Sequence, residues 1–222
     1  MGQAVKIKSI NHLTPDVLKI VTEKPVGLEF IPGQAADISI NQPDWKDEIR
    51  TFTFVSLPED QELEFNIKTY PDHKGVTNQL LSLNAGDELV IADVYGDIKY
   101  KGEGLFIAGG AGITPFKAIL KKLEKERKLG SNKLLFANKT QADIIWKDGF
   151  EKMLGDQFIN ILSDEEIEGY AHGFVTADVI KKYADADDKY YYLCGPPPMM
   201  EAVEKVFSEL GIAEEYIVKE SF

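Results

Sequence analysis

One cysteine, Cys194, stands in a chain of 222 residues, and the three histidines, His12, His73 and His172, lie far apart. A lone thiol excludes an internal disulfide, and it excludes any zinc or iron–sulfur centre built on several cysteines of this chain, a fused plant-type ferredoxin unit included. The histidines offer no ligand spacing, so none is assigned to a metal. Redox chemistry in this chain would therefore need an organic cofactor. Positive charge is also scarce. The 25 Lys and Arg against 37 Asp and Glu leave a net charge of −12 at pH 7, which repels nucleic acid and anionic membrane surfaces, so neither is an expected partner. No apolar stretch nears the roughly 18 residues of a membrane span, and no signal-peptide core follows Met1, so the expected location is cytoplasmic. Repeats, low-complexity tracts and long linkers are missing as well. With 44% hydrophobic and 28% charged residues, the composition is that of a folded globular protein with one large domain or two small ones.

Two rhythms divide the chain. From residue 4 to about 100, short alternating runs (Ala4–Ile10, Val17–Val21, Ala35–Ile40, Arg50–Ser56, Glu62–Thr69 and Glu88–Val94) are separated by Lys24-Pro25, Pro32-Gly33, Gln42-Pro43, Leu57-Pro58 and Ala85-Gly86-Asp87. This spacing predicts a six-stranded antiparallel barrel, interrupted once by a short helix near Gly75–Leu81 that Thr77 would cap. From residue 104 apolar strands alternate with helical segments: Gly104–Ala108, Pro115–Lys128, Lys133–Asn138, Trp146–Leu154, Phe158–Ser163, Thr176–Tyr183, Tyr190–Cys194, Met199–Leu210 and Glu215–Lys219. That pattern predicts a doubly wound parallel sheet covered on both faces. The expected fold class is thus an N-terminal antiparallel Greek-key β-barrel over residues 1–101, followed by a C-terminal α/β nucleotide-binding domain over residues 102–222.

Directly after the apolar run Leu105–Ala108 comes Gly109-Gly110-Ala111-Gly112-Ile113-Thr114-Pro115. Glycines there admit positive φ and close approach of a ligand to the main chain, but the spacing is not G-x-G-x-x-G, and a tight strand-to-helix corner is an equally good reading of this stretch alone. A second such turn, Cys194-Gly195-Pro196-Pro197-Pro198-Met199, follows another predicted strand end. Ligands of open parallel sheets bind outside the carboxyl ends of the strands, so two glycine turns there favour one shared crevice. In the first half, Arg50-Thr51-Phe52-Thr53 puts a charge and a ring on the same face of a strand by the period-two rule. Asn66-Ile67-Lys68-Thr69-Tyr70 ends a neighbouring strand, and the helix start at Gly75-Val76-Thr77 suits a phosphate.

The order Pro32-Gly33-Gln34, Arg50-Thr51-Phe52-Thr53, Gly75-Val76-Thr77, Gly109 to Pro115, Cys194-Gly195-Pro196-Pro197 and a C-terminal aromatic resembles the ferredoxin–NADP reductase family, and within it the small bacterial flavodoxin or ferredoxin reductases. The resemblance runs over nearly the whole chain. It implies that Arg50 pairs with a flavin pyrophosphate, that Thr53 reaches flavin N5, and that Phe52 packs on the ring. Phe52 replaces the family's usual tyrosine and lacks its hydroxyl hydrogen bond, which weakens the expected cofactor affinity. Ile67, Lys68 and Thr69 would line the ribityl chain and ring edge, Tyr70 the adenosine, and Gly75, Val76 and Thr77 the phosphates. Gly110, Gly112, Thr114, Pro115, Asn138, Lys139, Cys194, Gly195, Pro196 and Met199 would hold the nicotinamide nucleotide. Cys194 would stand beside its reactive ring, and Glu220 and Phe222 would be the family's closing acid and aromatic.

The implied cofactor is FAD, with FMN as the alternative, and the co-substrate is NADPH or NADH; the cation at Lys139 favours NADPH. The implied reaction is hydride transfer from nicotinamide to flavin and release of single electrons to a flavodoxin- or ferredoxin-type carrier, by a monomer. Lys117, Lys121, Lys122, Lys125, Arg127 and Lys128 on one helix would offer a basic docking face for such an acidic carrier. Two other functions fit the same sequence: an NAD(P)H:flavin reductase that releases reduced flavin, and a non-catalytic nucleotide-binding regulatory subunit.

Overall fold

The computed structural model describes residues 2–185 and 189–220. Its first half folds as β1 (Gln3–Thr14), β2 (Val17–Glu23), β3 (Ala35–Ile40), β4 (Arg50–Thr53), β5 (Glu62–Lys68) and β6 (Glu88–Tyr95). These six strands are antiparallel in the order β4-β3-β6-β1-β2-β5. The edges meet just past β4, where the Val55 amide donates to the Glu64 carbonyl at 2.9 Å and so closes the barrel. Closure removes the unpaired edges that an open sheet would expose. Inward side chains such as Ile7, Ile20, Ile38, Phe54, Phe65 and Leu89 form one buried cluster, each contributing about 1.5–3 kcal/mol of burial.

The short helix α1 (Val76–Gln79) plugs this barrel with the buried side chain of Val76. Thr77 does not cap it, contrary to the sequence expectation. The N-cap is Gly75, in extended conformation at φ −117° and ψ −178°, and no side chain accepts from the first turn. Strand β1 runs on to Thr14, four residues beyond its predicted end, and turns at Asp16 into β2 through a Thr14–Val17 pair. That extension carries Leu13 and Val17 into the apolar core of the second half. The two halves therefore share packing as well as a connection.

The second half contains β7 (Gly104–Gly109), α2 (Thr114–Lys125), β8 (Lys133–Asn138), α3 (Lys147–Leu154), β9 (Phe158–Leu162), β10 (Ala171–His172), α4 (Ala177–Tyr183), β11 (Tyr190–Cys194), α5 (Pro197–Glu209) and β12 (Ile217–Lys219). Strand order is β10-β9-β8-β7-β11-β12, all parallel. Alternation splits β7 between two cores: Phe106 and Ala108 face one cluster, Leu105 and Ile107 the other. The chain leaves β7 toward β8 and returns beside it as β11, so the reversal of strand order lies between β7 and β11. Thr176 caps α4 by accepting from the Val179 amide at 3.3 Å. The two-residue strand β10 escaped the sequence pattern because it is too short to show a period.

Helix α2 does not present a basic docking face. Lys117 is buried, Lys121 donates to the Val55 carbonyl, and Lys122 and Lys125 both pair with Glu59. The lysines of this helix face the barrel, and Lys128 is paired locally with Glu126. Among the described residues no helix is long and apolar enough to cross a membrane.

Candidate functional site

At the carboxyl ends of β7, β8, β9 and β11 lies a cavity of about 530 Å³. Its walls bring together Gly110, Asn138, Lys139, Pro196 and Met199 from the second half with Lys68 from the first. The Gly110–Ile113 segment is a 3-10 turn that leads into α2, with Pro115 in the helix's first turn. Gly110 has φ +50°, and a Cβ there would meet nothing within 4 Å, so the main chain is open to a ligand at this point. Gly112 is the opposite case: a Cβ would run into the Cys194 carbonyl, because the two glycine turns touch. Gly109 and Gly195 are likewise held against Met199. The buried Thr114 hydroxyl is used internally, donating to the Ala111 carbonyl at 3.0 Å.

The cavity carries one unfinished polar group. Asn138 is 8% exposed, yet among the described residues neither the oxygen nor the nitrogen of its side-chain amide has a partner. A buried amide in that state costs about 1–3 kcal/mol, which a ligand or water with both donor and acceptor groups would relieve. Among the described residues no partner reaches the Lys139 ammonium either. The carboxylate of Asp143, also on the wall, is held by the Thr140 amide and hydroxyl at 2.9 and 2.8 Å.

On the barrel side, Lys68 pairs with Asp16 at 2.6 Å. The Asp16 carbonyl accepts from both the amide and the hydroxyl of Thr69, at 2.7 and 3.1 Å. The β1–β2 turn is thereby tied to the end of β5, and both border the cavity. Ile67 and Val76 point into the barrel core, so only their main chain can serve a ligand. Phe52 is half-buried against the same core. Arg50 is exposed, donating to the Ile49 carbonyl at 2.7 Å and pairing with Glu48 at 3.4 Å. Tyr70 is exposed and stacks on His73 with ring centres 5.5 Å apart. Arg50, Phe52, Gly75, Val76 and Thr77 are not walls of the cavity.

Thr53, Cys194 and Glu220 are not walls of the cavity either. Thr53 pairs in register with Ala35, and Ala35 with Tyr95 at the end of β6. Two residues on, the Asp97 amide donates to Glu220 at 3.4 Å. Glu220 follows Lys219, which pairs with Leu193 next to Cys194. Burial pushes the Cys194 thiol up to about 12, with the Glu220 carboxylate adding to the shift. Burial also raises the Glu220 carboxyl, against the hydrogen bond from Asp97. Phe222 lies outside the described residues.

Several neighbours of the site were not anticipated. Asp16, Val17, Asp143, Ser163 and Phe174 line the cavity, and Phe174 is 76% exposed at its rim. Tyr95 donates to Asp37 at 2.6 Å and touches the Thr51 hydroxyl, bracing β3, β4 and β6 beside Arg50. The pair Gly173-Phe174 was the available signal: a glycine before an aromatic just after a strand end.

Comparison with known proteins agrees with this fold. Residues 106–205 match the family model of the oxidoreductase NAD-binding domain. Over 227 residues the chain is 30% identical to NADH-cytochrome b5 reductase 1 of Pyricularia oryzae, covering 93% of this chain and 73% of that protein. It is 29% identical to NADH-cytochrome b5 reductase 2 of Mycosarcoma maydis over 89% of its own length, and spans 62% of that relative. In fold it resembles a ferredoxin NADP+ reductase from Neisseria gonorrhoeae with bound FAD and NADP, at a TM-score of 0.86 and 17% identity, covering 99% of this chain and 98% of that one.

Proposed function

The chain belongs to the ferredoxin–NADP reductase family, and on that premise we propose that it is a flavin-dependent NAD(P)H oxidoreductase delivering single electrons to a protein carrier. Residues 1–101 would hold FAD and residues 102–222 the nicotinamide nucleotide, the same pair of ligands that the Neisseria gonorrhoeae enzyme carries. The carrier would be of the flavodoxin or ferredoxin type. One observation carries the reading: an open cavity at the reversal of strand order, with the main chain bare at Gly110 and the buried Asn138 amide unpartnered inside it. Such a cavity suits a ligand rich in hydroxyls and phosphates.

The residues present also fit a flavin. The first-turn amides of α1 have no side-chain acceptor, Arg50 is exposed and paired only with its neighbours Ile49 and Glu48 among the described residues, and a Cβ at Gly75 would meet nothing within 4 Å. Arg50 would grip the pyrophosphate with its planar fork, and the amides of Val76 and Thr77 would take further phosphate oxygens. Thr53 would present its hydroxyl to the ring edge. A bound flavin supplies two-electron acceptance from a nicotinamide and one-electron release. Cys194, kept protonated by burial, would orient the nicotinamide as a neutral surface and not act as a nucleophile. Lys68 and Asp16, locked together, would close the cavity on its barrel side and limit water.

The test is the spectrum of the purified chain and its response to nucleotide. A yellow protein bleached anaerobically by NADPH or NADH, and reoxidised by a one-electron acceptor, is the expected result. A colourless protein that turns over added flavin would make it a flavin reductase. A colourless protein with no diaphorase activity would refute catalysis.

A further inference from the structure

The outward face of β5 carries Glu64, Asn66 and Lys68 at alternate positions. Lys68 reaches the nucleotide cavity. The other two receive a single side chain from the second half: the Lys117 ammonium lies 2.8 Å from Glu64 Oε1 and 2.9 Å from Asn66 Oδ1. It also sits 5.0 Å from the centre of the Trp146 ring, a ring fixed against Gly149 and edge-on to Phe150. Lys117 is 3% exposed, and Lys19 holds the second oxygen of Glu64 at 3.2 Å.

We propose that Lys117 is a positioning residue for hydride transfer, tying the flavin-side strand to the nucleotide-side helix so that the two cofactors meet at reactive separation. The inference rests on the functional reading above. Its basis is placement. Lys117 stands three residues after Thr114, about 4.5 Å along α2 from the glycine turn. Asn66 stands two residues before Lys68, about 7 Å along β5 from the cavity edge. No other side chain from the second half is as deeply buried while hydrogen-bonded to β5, among the described residues. A buried ion pair gives little net stability over an apolar pair of similar size, but it has one geometry, set by short directional bonds. Lys122 and Lys125, which share the rim residue Glu59, have no such constraint.

The experiment compares the flavin-loaded full chain with Lys117→Met, with Lys117→Met combined with Glu64→Gln, and with the rim control Lys125→Met. The double variant leaves no unpaired carboxylate and carries the test if the single variant does not fold. Stopped-flow reduction at saturating nucleotide measures the limiting rate, nucleotide titration measures Kd, and residual dipolar couplings of the amides measure the relative orientation of the two domains. Lys117→Met should keep the flavin spectrum and a Kd within about twofold. Its limiting rate should fall about tenfold or more, toward the hundredfold that a misplacement of about 1 Å costs, and its domains should need separate alignment tensors. Lys125→Met should match the wild type in all three. A wild-type rate in Lys117→Met, or a slow rate with unchanged orientation, would overturn the inference while leaving the functional reading intact. A wild-type chain that nucleotide does not reduce would overturn both.

Discussion

Strand β7 is buried along its whole length, whereas β4 shows two exposed residues followed by two half-buried ones. The parallel sheet is covered on both faces and has a core on each, so its ligand surface is left to the turns at the strand ends, where main chain and glycine dominate. The barrel has a single core inside, and the ligand surface proposed for it is the outer wall, where Arg50, Thr51 and Tyr70 are exposed. The difference teaches where each half is vulnerable. In the second half a substitution at the site should disturb packing first and binding as a consequence; in the first half it should disturb binding with little effect on the fold.

The largest effect should come from glycine. Gly112→Val would drive a side chain into the Cys194 carbonyl and cost about 3 kcal/mol or more of stability, while Gly75→Ala, in open space at an ordinary φ, should stay within about 0.5 kcal/mol. Urea unfolding of both variants measures the contrast, and equal losses would break it.

The next effect separates buried from rim charge. Burial pushes the Glu64 carboxyl up, but the Lys117 and Lys19 charges outweigh it and hold the pKa at about 2, below the ordinary 4.5. A carboxyl lowered on folding contributes stability that is complete above about pH 4.5 and lost as the pH falls toward 2, on the order of 2–3 kcal/mol. Glu64→Gln should therefore be less stable than the wild type at pH 7, and the two should converge near pH 2. Glu59, also held at about 2, chiefly by its hydrogen bond to Lys125, is exposed. Any loss in Glu59→Gln should vanish in about 1 M salt. Salt that abolishes the Glu64 effect as readily would remove the distinction.

Arg50→Ala should leave the unfolding curve where it is and weaken flavin binding by about 2 kcal/mol, roughly 30-fold in Kd. A destabilised fold with unchanged flavin affinity would reverse the assignment of the barrel wall. The smallest effect concerns Lys139. Its ammonium would face a 2′-phosphate across solvent, so Lys139→Ala should lower the NADPH over NADH ratio of kcat/KM by about fivefold; an unchanged ratio would leave this lysine without a role.

What could be read along the chain was what depends on near neighbours. The barrel strands, the alternation of strands and helices after residue 104, and the two glycine turns follow from hydrophobic period and backbone freedom, which are local properties. The ordered motifs also pointed to Asn138, Lys139, Pro196 and Met199, all of which line one cavity. Partnership across the chain was decided by the tertiary structure. Nothing in the spacing of Lys117, Lys121, Lys122 and Lys125 separates a buried ammonium from rim cations, because the difference is made by Glu64, Asn66 and Glu59, more than 50 positions away in sequence. Thr77 was a reasonable cap by composition, yet the geometry entering α1 made Gly75 the boundary. Asp16 and Phe174 reach the cavity only because β1 extends to meet β2 and because a two-residue strand closes the edge of the sheet. Local patterns are set by steric preference and periodicity within a few residues, but which charge is desolvated and which amide is left unpartnered depends on what the rest of the folded chain places against it.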